Sequence, residues 1–156
     1  MPRHPYKKRR QQVDVIYRNL EVSKLINYIM EDGKKSVAES IVYQALEILK
    51  KEGEPLKLLH KALNNVSPNF EVKPRRLGGA SYLVPSEVRK ERKLYLALNW
   101  IVDGARSRSQ KEYHNFKDKL SAEILDASKN QGAAVSKRSQ VEKLAEANKA
   151  FAHLKW

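Results

Sequence analysis

Apolar residues in this chain recur at helical spacing almost throughout, and in one window they do not. Between residues 70 and 87 the period drops to two, around Gly78-Gly79. Alternation flanking Gly-Gly is the signature of a two-residue β-hairpin. Residues 70–77 and 80–87 are therefore expected to pair, with Leu77 opposite Ala80, Arg76 opposite Ser81 and Arg75 opposite Tyr82. Everywhere else the stripes are those of amphipathic helices. Val22, Leu25, Ile26 and Ile29 share one face, and Gly33 is expected to close that helix. Ser36 with Glu39 reads as a capping box opening the next, whose stripe is Val37, Ile41, Ala45 and Ile48, widened by Val42, Leu46 and Leu49. Pro55 suits the first turn of a third helix, which carries Leu56, Leu59, Leu63 and Val66 and ends at Ser67-Pro68. Leu94, Ala97, Leu98, Ile101, Val102 and Ala105 mark a fourth helix, and the polar stretch 106–115 is expected to be a loop. Phe116, Leu120, Ile124 and Ala127 mark a fifth, stopped near Gly132. Ser139 with Glu142 reads as a second capping box, so the sixth helix is expected to start there, with Val141, Leu144, Ala145, Asn148, Phe151 and Ala152 on its stripe. The predicted fold class is mainly α: a six-helix bundle with one protruding β-hairpin at 70–87. Residues 13–156 form one domain behind a basic arm, residues 1–12.

The outer half of the hairpin cannot be core. Side chains alternate faces along a strand, so Lys73 and Arg75 lie on one face and Arg76 on the other. Burying an unpaired Arg costs several kcal/mol or more. Pro74 and Pro85 remove ladder donors and disfavour further strands. An isolated two-stranded hairpin is marginal in water. The base is therefore expected to lean on helices through Phe70, Val72 and Val84, while the tip projects. A β-ribbon is narrow enough for a nucleic-acid groove, and Tyr82 is placed to stack on a base.

Charge points the same way. The chain has 31 Lys and Arg against 18 Asp and Glu, a formal net charge of +13. An imbalance of that size implies a polyanionic partner. The cations fall in the expected arm and loops: Arg3, Lys7, Lys8, Arg9 and Arg10 in the arm, Lys34 and Lys35 at a helix start, Arg106 and Arg108 after the fourth helix, Lys137 and Arg138 before the sixth. Lysines at a helix start oppose the helix dipole, yet they sit beside free N–H groups that suit a phosphate.

Other chemistries lack their residues. Cysteine is absent, which excludes disulfides and thiolate metal sites. His4, His60, His114 and His153 show no metal-ligand spacing. The run Gly33-Lys34-Lys35-Ser36 resembles the tail of a phosphate-binding loop, but the required earlier glycine is Tyr28. No cofactor, small-molecule substrate or enzymatic activity is expected. No apolar stretch suits a secretory signal or a membrane span, so no membrane partner is expected either.

Three stretches resemble one known family: Asp32-Gly-Lys-Lys-Ser-Val-Ala-Glu-Ser-Ile-Val-Tyr43, Val72-Lys-Pro-Arg-Arg-Leu-Gly-Gly-Ala-Ser-Tyr-Leu-Val-Pro85 and Ala145-Glu-Ala-Asn-Lys-Ala-Phe-Ala-His-Leu-Lys-Trp156. Together, and in this order, they resemble small-subunit ribosomal protein seven of the bacterial and organellar type. The resemblance implies a helical bundle with a β-ribbon, located in the ribosome, cytoplasmic or inside an organelle. It implies a primary binder of small-subunit ribosomal RNA, at the 3′ major domain, that nucleates assembly of the head. By the same resemblance the ribbon lies near the exit-site tRNA and the messenger. The ninth, eleventh and thirteenth small-subunit proteins are implied as neighbours. Residues matching RNA-contacting segments are Arg3, Lys7 to Arg10, Lys34, Lys35, Lys73, Arg75, Arg76, Arg92, Arg106, Arg108, Lys137, Arg138 and Lys143. Leu77, Gly78, Gly79, Ala80, Ser81 and Tyr82 match the tip near tRNA and messenger. An architectural DNA-binding protein, using the hairpin as a groove arm, is the alternative that composition alone allows.

Overall fold

The computed structural model describes residues 12–154. Helices α1 (Leu20–Ile29), α2 (Lys35–Leu49) and α3 (Pro55–Val66) precede a hairpin of β1 (Phe70–Leu77) and β2 (Ala80–Glu87). Helices α4 (Lys90–Ser107), α5 (Phe116–Ser128) and α6 (Ala133–Ala147) follow, then a 3₁₀ segment, Lys149–Leu154. The architecture is mainly α with one antiparallel strand pair among the described residues, as the change of period predicts. The pairing register runs from Phe70 opposite Glu87 to Leu77 opposite Ala80. Gly78 and Gly79 have φ of 53° and 90°, the paired positive values of a tight hairpin turn that a Cβ would strain.

Helices α1 to α5 share one core. Leu25, Leu46, Leu59, Leu98, Ile101, Leu120 and Ile124 are among its largest apolar members, all fully buried. On α2 the buried face is Ala38, Val42, Ala45, Leu46 and Leu49. Val37, expected inside, is 54% exposed. Ile41 and Ile48 are half-buried, so the face packed against α1 and α5 is centred on the widening residues Val42, Leu46 and Leu49.

Helix boundaries depart from the sequence reading where caps are concerned. Helix α1 ends at Ile29, with Met30 as its C-cap, and Gly33 sits in the turn beyond it. Ser36 is not an N-cap: α2 begins at Lys35 and has no side-chain cap. The largest correction is α6, which starts at Ala133, six residues before Ser139. Its start is fixed by Glu123, a residue of α5. The Ala134 N–H donates to Glu123 Oε1 at 3.0 Å. A carboxylate at a helix N-terminus satisfies an otherwise unpaired donor and favours the dipole.

Glu123 is 1% exposed, so its charge needs further partners. Arg108 supplies them, with Nε 2.8 Å and Nη2 2.7 Å from Glu123 Oε2, and also pairs with Asp126. Gly104 and Gly132 make room. A Cβ on Gly104 would stand 2.7 Å from Glu123 Oε1, and one on Gly132 3.0 Å from it. Other helix ends are closed across the fold in the same way. Asn65 of α3 donates from Nδ2 to the carbonyls of Ala127 and Ser128 at the end of α5, at 2.9 and 3.1 Å. Lys119 donates to the Arg108 carbonyl at 2.8 Å.

Helix α6 buries only Ala134, Val135 and Ala145. At about 0.8 kcal/mol per buried methylene, that is a few kcal/mol, so its polar ties decide where it lies. Arg138 donates to the Asn65 carbonyl, and Glu142 accepts from the Asn69 N–H at 3.0 Å. The expected capping carboxylate of Glu142 instead holds the entrance to the hairpin.

The segment before α1 is pinned by Asp14, which is 6% exposed. Its carboxylate accepts from the N–H groups of Ile16 (3.1 Å) and Tyr17 (2.8 Å) and from the Tyr43 hydroxyl (2.6 Å). Burial, then the hydrogen bond to Asp14, push the Tyr43 phenol well above its ordinary range. A raised folded-state pKa contributes stability that is fully present below the unfolded value and is lost as pH climbs through the folded one.

Two outcomes follow. Arg108→Ala strands a buried carboxylate and should cost about 3–5 kcal/mol in urea unfolding, while Arg76→Ala, on the exposed ribbon, should move stability by less than about 0.5 kcal/mol. In alkaline titration followed by circular dichroism, wild type should lose stability above pH ~10. Tyr43→Phe should lower stability at neutral pH by about 1–3 kcal/mol and flatten that alkaline loss.

Candidate nucleic-acid interface

Alternation along the two strands sorts the ribbon into two chemically different faces. One carries Glu71, Lys73 and Arg75, opposite Ser86, Val84 and Tyr82. The other carries Phe70, Val72, Pro74 and Arg76, opposite Glu87, Pro85, Leu83 and Ser81. The base is seated by Val84 and Pro85, both buried, and by half-buried Val72. Phe70, expected to help anchor it, is 50% exposed. The ribbon rests on α6 and on the 3₁₀ segment, where Tyr82 meets Phe151 with ring centroids 5.3 Å apart. Tyr82 is thus already engaged inside the fold and half-buried, not presented as a free stacking platform. Gly78, Gly79, Ala80 and Ser81 form the exposed tip, and Leu77 is half-buried behind it.

The first face borders a cleft of about 480 Å³, lined by Lys73, Arg75, Ser86, Glu87, Val88, Arg89 and Lys90. Four of those seven side chains are cationic. Arg89 is the N-cap position of the long helix α4, and its side chain does not cap the helix. The N-terminus of α4 thus borders the same hollow as the cations through Arg89 and Lys90, and a helix N-terminus favours an anion such as phosphate. Glu71 organises the rim. Its carboxylate lies 3.4 Å from Lys73 Nζ and 3.1 Å from Arg92 Nη2, and Arg92 also sits over the Tyr95 ring at 5.4 Å. Arg89 and Lys90 were not singled out in the sequence. Their signal was the basic run from Arg89 to Lys93 shortly after β2, four cations broken only by Glu91.

The remaining cations divide by what holds them. Lys34 and Arg106, far apart in sequence, line one hollow at the α1–α2 turn. Arg106 belongs to the last turn of α4, not to a loop, and pairs with Glu31 at 2.6 Å. Lys34 lies 3.5 Å from Asp32 and Lys35 3.8 Å from Glu39. These exposed pairs are worth little in water, about 0–1 kcal/mol, so a phosphate can exchange with the carboxylate. Lys137 and Lys143 are exposed on α6. Arg108 and Arg138 are turned inward: Arg108 is only 17% exposed and clamps Glu123, while Arg138 binds the Asn65 carbonyl 3.6 Å from Glu142. Arg3, Lys7, Lys8, Arg9 and Arg10 lie outside the described residues.

Cations set on several elements around a rigid helical body fit a partner with a phosphate lattice. The sequence matches the family described as ribosomal protein S7p/S5e over residues 1–149. The chain belongs to that family. It is 54% identical to small ribosomal subunit protein uS7 of Sulfurihydrogenibium sp. (strain YO3AOP1) over 159 aligned positions, covering 100% of both chains. It is 51% identical to the protein of the same name from Acidiphilium cryptum, covering 99% of this chain and 98% of that one. The corresponding protein of Thermoanaerobacter sp. (strain X514) is 50% identical, with full coverage of both. Family membership makes the chain a structural component of the small ribosomal subunit and not an enzyme. It also leaves the DNA-binding alternative without support. No helix among the described residues is long and apolar enough to cross a membrane.

The geometry separates two classes of arginine. Replacing Arg89 and Lys90 with Ala should leave the melting temperature nearly unchanged. It should lower the slope of log affinity against log salt by about 0.9 for each phosphate no longer neutralised. A collapse of the melting temperature instead would show that these side chains hold the fold, as Arg108 does.

Proposed function

We propose that this chain is a primary binder of small-subunit ribosomal RNA that acts through electrostatics and shape. Lysines and arginines on the ribbon, the start of α4, the α1–α2 turn and α6 neutralise phosphates. The core of α1 to α5 fixes those cations relative to one another, so that several RNA strands are held in one geometry. The observation that carries this reading is the cationic cleft between the ribbon and the N-terminus of α4, on a chain of the S7p/S5e family. Lys34, Lys35, Lys73, Arg75, Arg76, Arg89, Lys90, Arg92, Arg106, Lys137 and Lys143 are the proposed RNA ligands within the described residues, joined by Arg3 and Lys7 to Arg10 of the arm. Arg108 and Arg138, which resemblance also assigned to RNA, we assign to holding the fold.

The finer assignment rests on the resemblance. The RNA is the 3′ major domain, where binding nucleates assembly of the head. The tip, Leu77 to Tyr82, lies near the exit-site tRNA and the messenger, and the ninth, eleventh and thirteenth proteins are neighbours. In a bacterium such a protein works in cytoplasmic ribosomes. Full-length protein should bind a folded 3′ major domain fragment more tightly than duplex DNA of equal length at equal salt. It should also co-sediment with small subunits in a sucrose gradient. Equal affinity for both nucleic acids, with no co-sedimentation, would sink the reading.

A further inference from the structure

The ribbon face away from the cationic cleft borders a groove with the opposite character. It measures about 680 Å³ and lies between the hairpin base, α6 and the 3₁₀ segment. Phe70, Pro85, Ala145 and Ala152 give it apolar walls. Glu87, Glu142 and Glu146 give it an acidic rim, with Lys149 as the one cation among the described residues that line it. Three carboxylates to one lysine inverts the balance of a chain with 31 basic and 18 acidic side chains. Glu142 is used by Asn69 and lies near Arg138, but Glu87 and Glu146 are exposed. Phe70 keeps half its surface open beside them, although a Phe at a strand start could have been buried.

We propose that this groove holds a short basic segment of another protein, with lysines or arginines against the glutamates and an apolar side chain on Phe70 and Ala145. Charge complementarity decides between occupants. RNA would bring phosphates against three carboxylates, and like charges at an interface cost several kcal/mol. A cationic peptide gains from the same rim and covers the open ring. Nothing here depends on the RNA contacts proposed above: the two sites use opposite faces of the ribbon, and only Glu87 borders both.

The test uses full-length protein, two labelled peptides and the 3′ major domain fragment. One peptide alternates arginine with leucine, and the other has glutamate in place of arginine. Variants are Glu146→Lys and Phe70→Ser, which leave Glu87 untouched and remove no buried group. The arginine peptide should bind and the glutamate peptide should not. Each variant should weaken the arginine peptide about tenfold, with RNA affinity and melting temperature unchanged. Failure of the arginine peptide to bind, or binding that neither variant weakens, overturns the proposal. Loss of RNA affinity in Phe70→Ser would give the groove to nucleic acid and overturn it as well. So would a concentration-dependent dimer in sedimentation velocity that either variant abolishes, since the occupant would then be a second copy.

Discussion

The carboxylate of Glu123 is the joint on which the rest of this fold turns. Almost fully buried, it needs donors, and it draws them from neighbouring elements. Arg108 arrives from the end of α4, and Ala134 offers a free N–H from the first turn of α6. Gly104 and Gly132 permit the approach because any side chain there would collide with the carboxylate. A buried ion pair of this kind is weak evidence for stability, since apolar side chains of equal volume can do as well. What it specifies here is position. It fixes where α6 begins, and therefore where Arg138 and Glu142, one turn apart on α6, meet Asn65 and Asn69. Through Asn69 the hairpin base acquires its seat. A carboxylate in the middle of α5 thus governs the direction of a ribbon that it never touches.

From that seat the ribbon presents two surfaces that a sheet packed on both sides could not. Alternation places Lys73 and Arg75 on one face, and Phe70, Val72, Pro74 and Arg76 on the other, whose base has acidic neighbours. Glu71 shows how the cationic face stays orderly while carrying so much like charge. One carboxylate, 13% exposed, holds Lys73 and Arg92 in place without burying either. Held cations lose less side-chain entropy when a phosphate arrives. Helix α4 starts at the edge of the same hollow, through Arg89 and Lys90. A protein with a formal charge of +13 can therefore be folded by its few carboxylates and still offer most of its cations outward.

Much of this was readable from residue order. The apolar stripes of α1, α3 and α4 are local patterns, and each is buried as read except at its first residue on α3 and α4, where Leu56 and Leu94 are half-buried. The α2 stripe was ambiguous because apolar residues cover more than half of that helix, and only its neighbours choose the face. Both capping boxes were misread, for different reasons. At Ser36-Glu39 the chain enters α2 through a backbone turn and the helix begins at Lys35 with no side-chain cap, whereas Ser139-Glu142 lies inside a helix whose start a tertiary partner sets. At α6 the partner is Glu123, eleven residues before the N–H it accepts, and no short-range pattern encodes that. A weak trace was present. Glu123 falls on the stripe of Leu120, Ile124 and Ala127, and Gly104 sits inside a helix where it costs about 1 kcal/mol relative to alanine. An acid on an apolar face and a glycine in a helix interior both signal close approach.

The candidate interface divides along the same line. Sequence by itself determined the hairpin, its register and its exposed tip. Those follow from period, turn chemistry and the cost of burying charge, all of which act over a few residues. It also determined the sign of the partner, because net charge is a sum that folding does not alter. Tertiary structure alone decided which arginines are available. Arg106 and Arg108 stand two residues apart in the same polar run, yet one pairs with Glu31 at the surface and the other is shut against Glu123. The physical reason is that a guanidinium goes where a buried carboxylate most needs it. That need is set by which helices meet, not by which residues are neighbours in the chain.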